Sequence, residues 1–200
     1  HKSFETTAYK KNILLFFGTI LGVGSCLSWS AVHRTHHRFS DTDKDPHSPK
    51  NIGIFRVWFT FWDNNWHVEP ASIKDLLKDS TQIFFHKNYF KILLCWILLF
   101  TGITILTESI LPVVVGFTLP CATTSFFSGI TNSLGHSFGY RNFETNDNST
   151  NHLFIRWLFV IVGLHNNHHY KPNAWNFNLL NRWYEFDIDA FIIKHFFITK

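Results

Sequence analysis

The 200-residue chain has no methionine and only three cysteines, and charged residues make up 16% of it, well under the share usual in soluble domains. It opens on His1 rather than Met, without a cleavable signal or transit pattern, as expected of a fragment or a processed product. Cys26, Cys95 and Cys121 are odd in number and each lies inside an apolar run. They outline no disulfide framework and are expected to be buried, reduced hydrophobes. The net charge of +4 is mild and its basic residues are scattered, so no nucleic-acid footprint is present. A polar face near anionic lipid headgroups fits such a distribution at least as well. No internal repeat or low-complexity linker divides the chain, and its length suits one domain over 1–200.

What is abundant is apolar, aromatic and imidazole. Aromatics reach 18%, with 23 Phe, and there are 13 His. Residues 92–107 ("ILLCWILLFTGITILT") carry no charge, and neither do residues 109–140. Glu108 and Pro112 sit between them, which predicts a turn. The spans expected to cross a membrane are about 92–107 and 111–131, a hairpin that leaves and returns on one side. All 18 Lys and Arg lie outside 92–131, so the hairpin tip is expected to be translocated and both flanks to face the cytosol. Residues 13–32 are long enough to cross, but Gly18, Gly22 and Gly24 weaken a helix there. A crossing would also separate His1 from His33, so this segment is expected to be interfacial or re-entrant. Residues 153–164 contain Arg156 and are too short to span. Residues 72–87 fit either an amphipathic surface helix or a plain connector.

The histidines carry the chemistry. His33, His36 and His37 are spaced i, i+3, i+4, and so are His165, His168 and His169. On a helix such positions share one face, so three imidazoles converge. The hairpin returns near "NSLGHSFGYR", which brings His136 level with both triplets, with Asn132 one turn earlier and able to hold a metal-bound water. Eight histidines exceed what one metal takes, and no cysteine lies near them, so a two-metal, all-nitrogen centre fits better than structural zinc. Iron is favoured if the chemistry is oxidative. Asp41, Asp43 and Asp45 imitate the start of a calcium loop. Pro46 and Ile52 stand where that loop needs Gly and Glu, so calcium is excluded. Asp41 and Asp45 are instead expected to hold imidazole N–H groups or to shape the turn before Pro46. His47 stays open.

These motifs, in this order, resemble the membrane fatty-acid desaturases of the stearoyl/Δ9 type, over nearly the whole chain. "HRTHHRFSDTDKDPHSP" (33–49) resembles the second histidine box and its tail. "NSLGHSFGYRNF" (132–143, with Arg141) resembles the family's N-S-x-x-H-x-x-G-x-R segment, and "HNNHHYKP" (165–172) the third box. "RWYEFDIDAFIIK" resembles the closing helix, and "HKSF" the end of the first box. The resemblance implies an all-α integral membrane protein: a transmembrane hairpin, interfacial helices and a cytosolic, histidine-rich di-iron cap. It implies that this chain lacks the family's N-terminal transmembrane helices and the first histidine of box one.

By position, the implied ligands of two Fe2+ ions are His1, His33, His36, His37, His136, His165, His168 and His169, with Asn132 acting through water. Asp41, Asp45 and Arg141 would support them. Two departures stand out. The family's animal and fungal acyl-CoA enzymes carry an Arg-Asp pair before the second box where this chain has Ala31-Val32, which turns the reading toward bacterial and plant-like acyl desaturases. Ile161 to Gly163 replaces the family's G-E-G before the third box.

The implied activity is O2-dependent insertion of a cis double bond, Δ9 by type, into a saturated chain carried as acyl-lipid or acyl-CoA. Electrons would come from a separate ferredoxin or cytochrome b5. An apolar tunnel is expected beside the metals, with Trp29, Trp58, Trp62 and Trp66 as lining candidates; for any one of them an interfacial belt position is the plainer alternative. The alternatives for the whole are a membrane di-iron hydroxylase of acyl chains or lipids and a non-catalytic metal-binding fragment.

Overall fold

In the computed structural model, residues 1–45, 47–59, 70–155 and 163–199 are described. The described residues are helical, with two isolated bridges, Tyr140 with Asn151 and Asn151 with Leu164, in place of a sheet. Trp62, Trp66 and most of 153–164 lie outside them.

The 13–32 stretch is two helices. α1 (Ala8–Ile20) starts on Thr7, whose hydroxyl accepts from Lys10 N, and α2 (Cys26–Phe39) starts on Ser25, which accepts from Ser28 N. Between them Gly22 and Gly24 take φ of 74° and 99°, conformations open to glycine but strained for other residues. The chain turns back there, and His1 reaches His33 with ring centroids 4.9 Å apart.

After two single turns, α3 (Pro49–Ile52) and α4 (Ile54–Val57), the 72–87 stretch is helical in pieces. Short 3-10 turns cover Pro70–Ile73 and Leu76–Lys78, and α5 (Ser80–Lys87) begins where Asp79 accepts from Thr81 N and Gln82 N. Arg34 clamps this strap to α2: its guanidinium donates to both Asp75 oxygens (2.6 and 3.2 Å) and to Ser72 O (2.7 Å). Leu27, Ala31, Ile73 and Leu76 pack beneath the clamp.

The hairpin consists of α6 (Tyr89–Thr107) and α7 (Leu111–Leu134), both long and apolar enough to cross a membrane. Glu108, at φ 50°, turns the chain between them. Trp96 donates to Gly116 O at 2.9 Å, and the Phe100 ring occupies the place a Gly116 side chain would take. The cysteines, expected to be buried, are half-buried at Cys26 and Cys121 and exposed at Cys95, which lies on the apolar helix α6.

More polar than hydrophobic residues are buried among those described. The interior is organised by histidine, aspartate and asparagine contributed by α2, the end of α7, α8 (His165–Tyr170) and the loops beside α9 (Ile188–Ile192).

Candidate metal centre

α2 and α8 deliver their triplets to one place and divide them. His1, His33, His37 and His168 form one group, and His36, His136, His165 and His169 form a second. Within each group one ligand atom per histidine lies within 4.8 Å of the others. Each helix gives its i, i+4 pair to one group and its remaining histidine to the other. The groups abut, with His37 stacked on His169 at 4.2 Å.

The spacing between nitrogens fits shared metals. On a metal held at about 2.1 Å, imidazole nitrogens at right angles lie about 3.0 Å apart. His136 Nε2 and His165 Nε2 are 3.0 Å apart, His37 Nε2 and His168 Nε2 2.8 Å, and His168 Nε2 and His33 Nε2 3.3 Å. Among the described residues, the buried His1 Nε2, His36 Nε2 and His169 Nε2 also lack hydrogen-bond partners. Such orphaned atoms are costly unless something binds them, and neutral imidazole is a ligand for iron, zinc and copper.

Burial favours the neutral form of five of these rings. It lowers His33, His165 and His169 well below the ordinary 6.5, with neighbouring imidazoles adding to the effect. His37 moves the same way, and His168 is brought down to about 3.

Carboxylates orient the second group. His36 Nδ1 donates to Asp45 Oδ1 at 2.8 Å, His136 Nδ1 to Asp41 Oδ2 at 2.9 Å, and His169 Nδ1 to Asp147 Oδ2 at 2.8 Å. A carboxylate only accepts, so each Nδ1 carries the proton and each Nε2 lone pair is free for a metal. The loop after α2 is wound around these aspartates. Asp41 also accepts from Ser48 Oγ and Asn148 N, and Asp45 from the backbone N–H of Asp41 and His47. Asp41 is thereby held down at about 2 although burial alone would raise it, chiefly by its bond to His136. Asp43, between Asp41 and Asp45 in the same loop, is exposed.

The other sequence candidates take separate positions. Asn132 lines a cavity together with His33, His165 and His168. Arg141 touches no imidazole; it donates to Asp147 O and Thr145 O and so braces the loop that carries Asp147. Trp29 stacks on His33 at 4.6 Å and lines the cavity. Trp58 packs on Phe126 and Gly129 of α7 and is not among the lining residues. His47, its pKa lowered to about 3 by burial, lies beside His36 (5.9 Å) and belongs to neither group.

Sequence reasoning missed the scaffold of α8. Asn151 Oδ1 accepts from Asn166 N (2.9 Å) and Asn167 N (3.3 Å), satisfying first-turn amides that a short helix leaves unpaired. The Asn166 side chain ties to Asn142 N and Phe143 N, and Asn167 to the side chains of Asn142 and Asn151. Fully buried Glu185 takes Tyr140 OH and Asn142 Nδ2. The Asn-Asn pair inside "HNNHH" was the available signal; Asp147, Asn151 and Glu185 had none. A Cβ at Gly135 would run into the Thr131 carbonyl and lie 2.7 Å from the His165 ring. Gly135→Ala is therefore expected to shift the end of α7 against that ring and to lower the metal content of purified protein, read by elemental analysis.

The cavity measures about 1050 Å³, at the upper end for small-molecule sites. Leu27, Ala31, Val32, Ile73, Leu77 and Phe127 provide apolar wall, and the cavity reaches histidines of both groups.

Comparison with known proteins agrees with this centre. The family model "Fatty acid desaturase" matches residues 1–187. The sn-1 stearoyl-lipid 9-desaturase of Anabaena variabilis is 31% identical over 192 residues, covering 94% of this chain and 68% of that protein. Delta-9 acyl-lipid desaturase 1 of Arabidopsis thaliana is 27% identical over 197 residues (97% and 63%). Acyl-CoA 5-desaturase AL21 of Anemone leveillei is 31% identical over 205 residues (97% and 60%). The chain thus spans 60–68% of the length of these relatives. With eight histidines gathered as two groups of four and a family match along nearly all of its length, the chain belongs to the fatty acid desaturase family.

Proposed function

We propose that the protein is an O2-dependent di-iron desaturase that introduces a cis double bond, Δ9 by type, into a saturated acyl chain. The observation that carries this reading is the apolar cavity ending on histidines of both groups. On α2 its lining runs from Ser25 to His33, and on α7 from Thr124 to Asn132. Each run is about 12 Å of helix at about 1.5 Å per residue, room for a length of extended hydrocarbon. Beyond Ser25 the lining continues through Gly24 and Gly22, where Tyr89 OH accepts from Gly24 N at 3.1 Å. In this reading the methyl end lies toward that turn and the methylenes to be oxidised lie beside His33, His165 and His168.

The eight histidines would hold two irons, with Asn132 placed for a water-mediated contact. Bound iron supplies the oxidising power, drawn from O2 and two external electrons, that no side chain has for an unactivated C–H bond. The chain's own part is to fix imidazole lone pairs through Asp41, Asp45 and Asp147, to align the acyl chain along the cavity wall, and to exclude water. Ala31 and Val32 bring no charge to that wall, which favours a lipid-borne acyl chain over an acyl-CoA, whose phosphates call for cations. The apolar α6–α7 pair supports a membrane-embedded hairpin with the histidine boxes on the cytosolic side, and the electrons would come from a ferredoxin or cytochrome b5.

The test is expression of the protein in a desaturase-deficient host, followed by lipid analysis. A new cis-monoene is expected. A hydroxy acid would reassign the protein to membrane hydroxylases. An unchanged profile despite iron and a competent electron donor would refute both.

A further inference from the structure

The two histidine groups are matched in their ligands and unmatched in what holds those ligands. Each receives an i, i+4 pair from one helix, a single histidine from the other, and a fourth from elsewhere: His1 for one, His136 for the other. Their surroundings differ. Three of four imidazoles in the His36/His136/His165/His169 group donate Nδ1–H to Asp45, Asp41 and Asp147. Among the described residues, no carboxylate hydrogen-bonds to His1, His33, His37 or His168. Burial leans the same way without dividing cleanly. His36, His136 and His165 are buried and His169 half-buried, whereas His1, His33 and His37 are half-buried and His168 buried; His1, His33 and His168 also line a second, smaller recess of about 210 Å³.

A carboxylate on Nδ1 does three things for a metal at Nε2. It selects the tautomer, fixes the ring plane, and raises the basicity of the ligating nitrogen. The group without carboxylates must choose tautomers and orient its rings as metal arrives, and it does so nearer to water. We propose that the two metal positions are inequivalent: the group buttressed by Asp41, Asp45 and Asp147 binds first and holds its ion more tightly, and the His1/His33/His37/His168 group is the exchangeable position. Asp147, on the loop braced by Arg141, is a positioning residue for the tight site. This inference rests on reading the histidines as a two-metal centre.

The experiment uses purified protein loaded with Fe2+ under anaerobic conditions, dialysed against increasing chelator, with metal per chain counted by elemental analysis. Metal is expected to leave in two steps of one equivalent, separated by at least about tenfold in chelator concentration. Asp147→Asn should move the later step about 10–100-fold toward loss and leave the earlier one in place. Asp147 also accepts from Thr145 Oγ1 and Ser149 N within its own loop, so a second pair of variants gives a test independent of that loop. His33→Ala should abolish the early step and keep the late one, and His165→Ala should do the reverse. Loss of both equivalents in a single step, or ligand variants that remove the opposite steps, would overturn the inequivalence alone. Absence of bound metal at every chelator concentration would overturn the two-metal reading and this inference together.

Discussion

His36→Ala is expected to abolish double-bond formation and to remove one metal equivalent, whereas His86→Ala is expected to keep its full metal content. His36 is fully buried, its Nδ1 is 2.8 Å from Asp45, and its Nε2 has no hydrogen-bond partner among the described residues. Truncation removes a ligand and leaves the Asp45 carboxylate with only the backbone N–H groups of Asp41 and His47, at a cost of about 1.5–3 kcal/mol for the lost hydrogen bond. The loss should therefore appear in metal content, activity and thermal stability together. His86 is exposed, lines the Ser25 end of the cavity and bonds through Nδ1 to the Ser25 hydroxyl at 2.6 Å, far along α2 from the triplet, so it bears on metal content only through the fold. Purified variants compared for iron per chain, melting temperature and lipid product check the contrast. Wild-type activity in His36→Ala would remove His36 from the centre.

The second large effect is acid lability of the metal-free protein. Burial holds His168 and His47 at about 3 in the fold, against an ordinary 6.5, and lowers His33, His37, His165 and His169 in the same sense. Between about 3 and 6.5 the unfolded chain therefore binds protons that the native chain refuses. Stability rises with pH across that window, by about 1.4 kcal/mol per pH unit for each such histidine. Above 6.5 this contribution is constant. Asp41 adds in the same direction lower down, since its stabilisation is present above 3.8 and is lost as pH falls toward about 2. Melting temperature measured from pH 7.5 to 5 should fall steeply with acid. A flat profile would show that these imidazoles are not held neutral. Protons also compete with metal for the same lone pairs, so metal-loaded protein should release its ions over the upper part of that range.

Much of the centre was legible because its signals are local. The i, i+3, i+4 spacing of His33, His36 and His37, and of His165, His168 and His169, follows from helix geometry alone. The two uncharged stretches around Glu108 likewise announced the pair of apolar helices, since hydropathy over a window needs no tertiary knowledge. Trp58 shows the boundary of such reasoning. An aromatic near a presumed tunnel carries no information about its rotamer or packing partner, and it packs on Gly129 of α7.

By itself the sequence determined which side chains are available as ligands, that they come in helical triplets, and that apolar helices lie beside them. It did not determine how the ligands divide. His33, His36 and His37 share one face of α2, yet His36 parts from the other two because His136, His165 and His169 meet it there, while His1 and His168 meet His33 and His37. It did not determine that Asp147, which precedes His169 by 22 residues, would hold that ring while Asn151 capped the helix carrying it. Such pairings span long stretches of chain with no periodicity to betray them. They exist because buried imidazole and amide groups must find partners, and only the folded chain decides which partners are within reach.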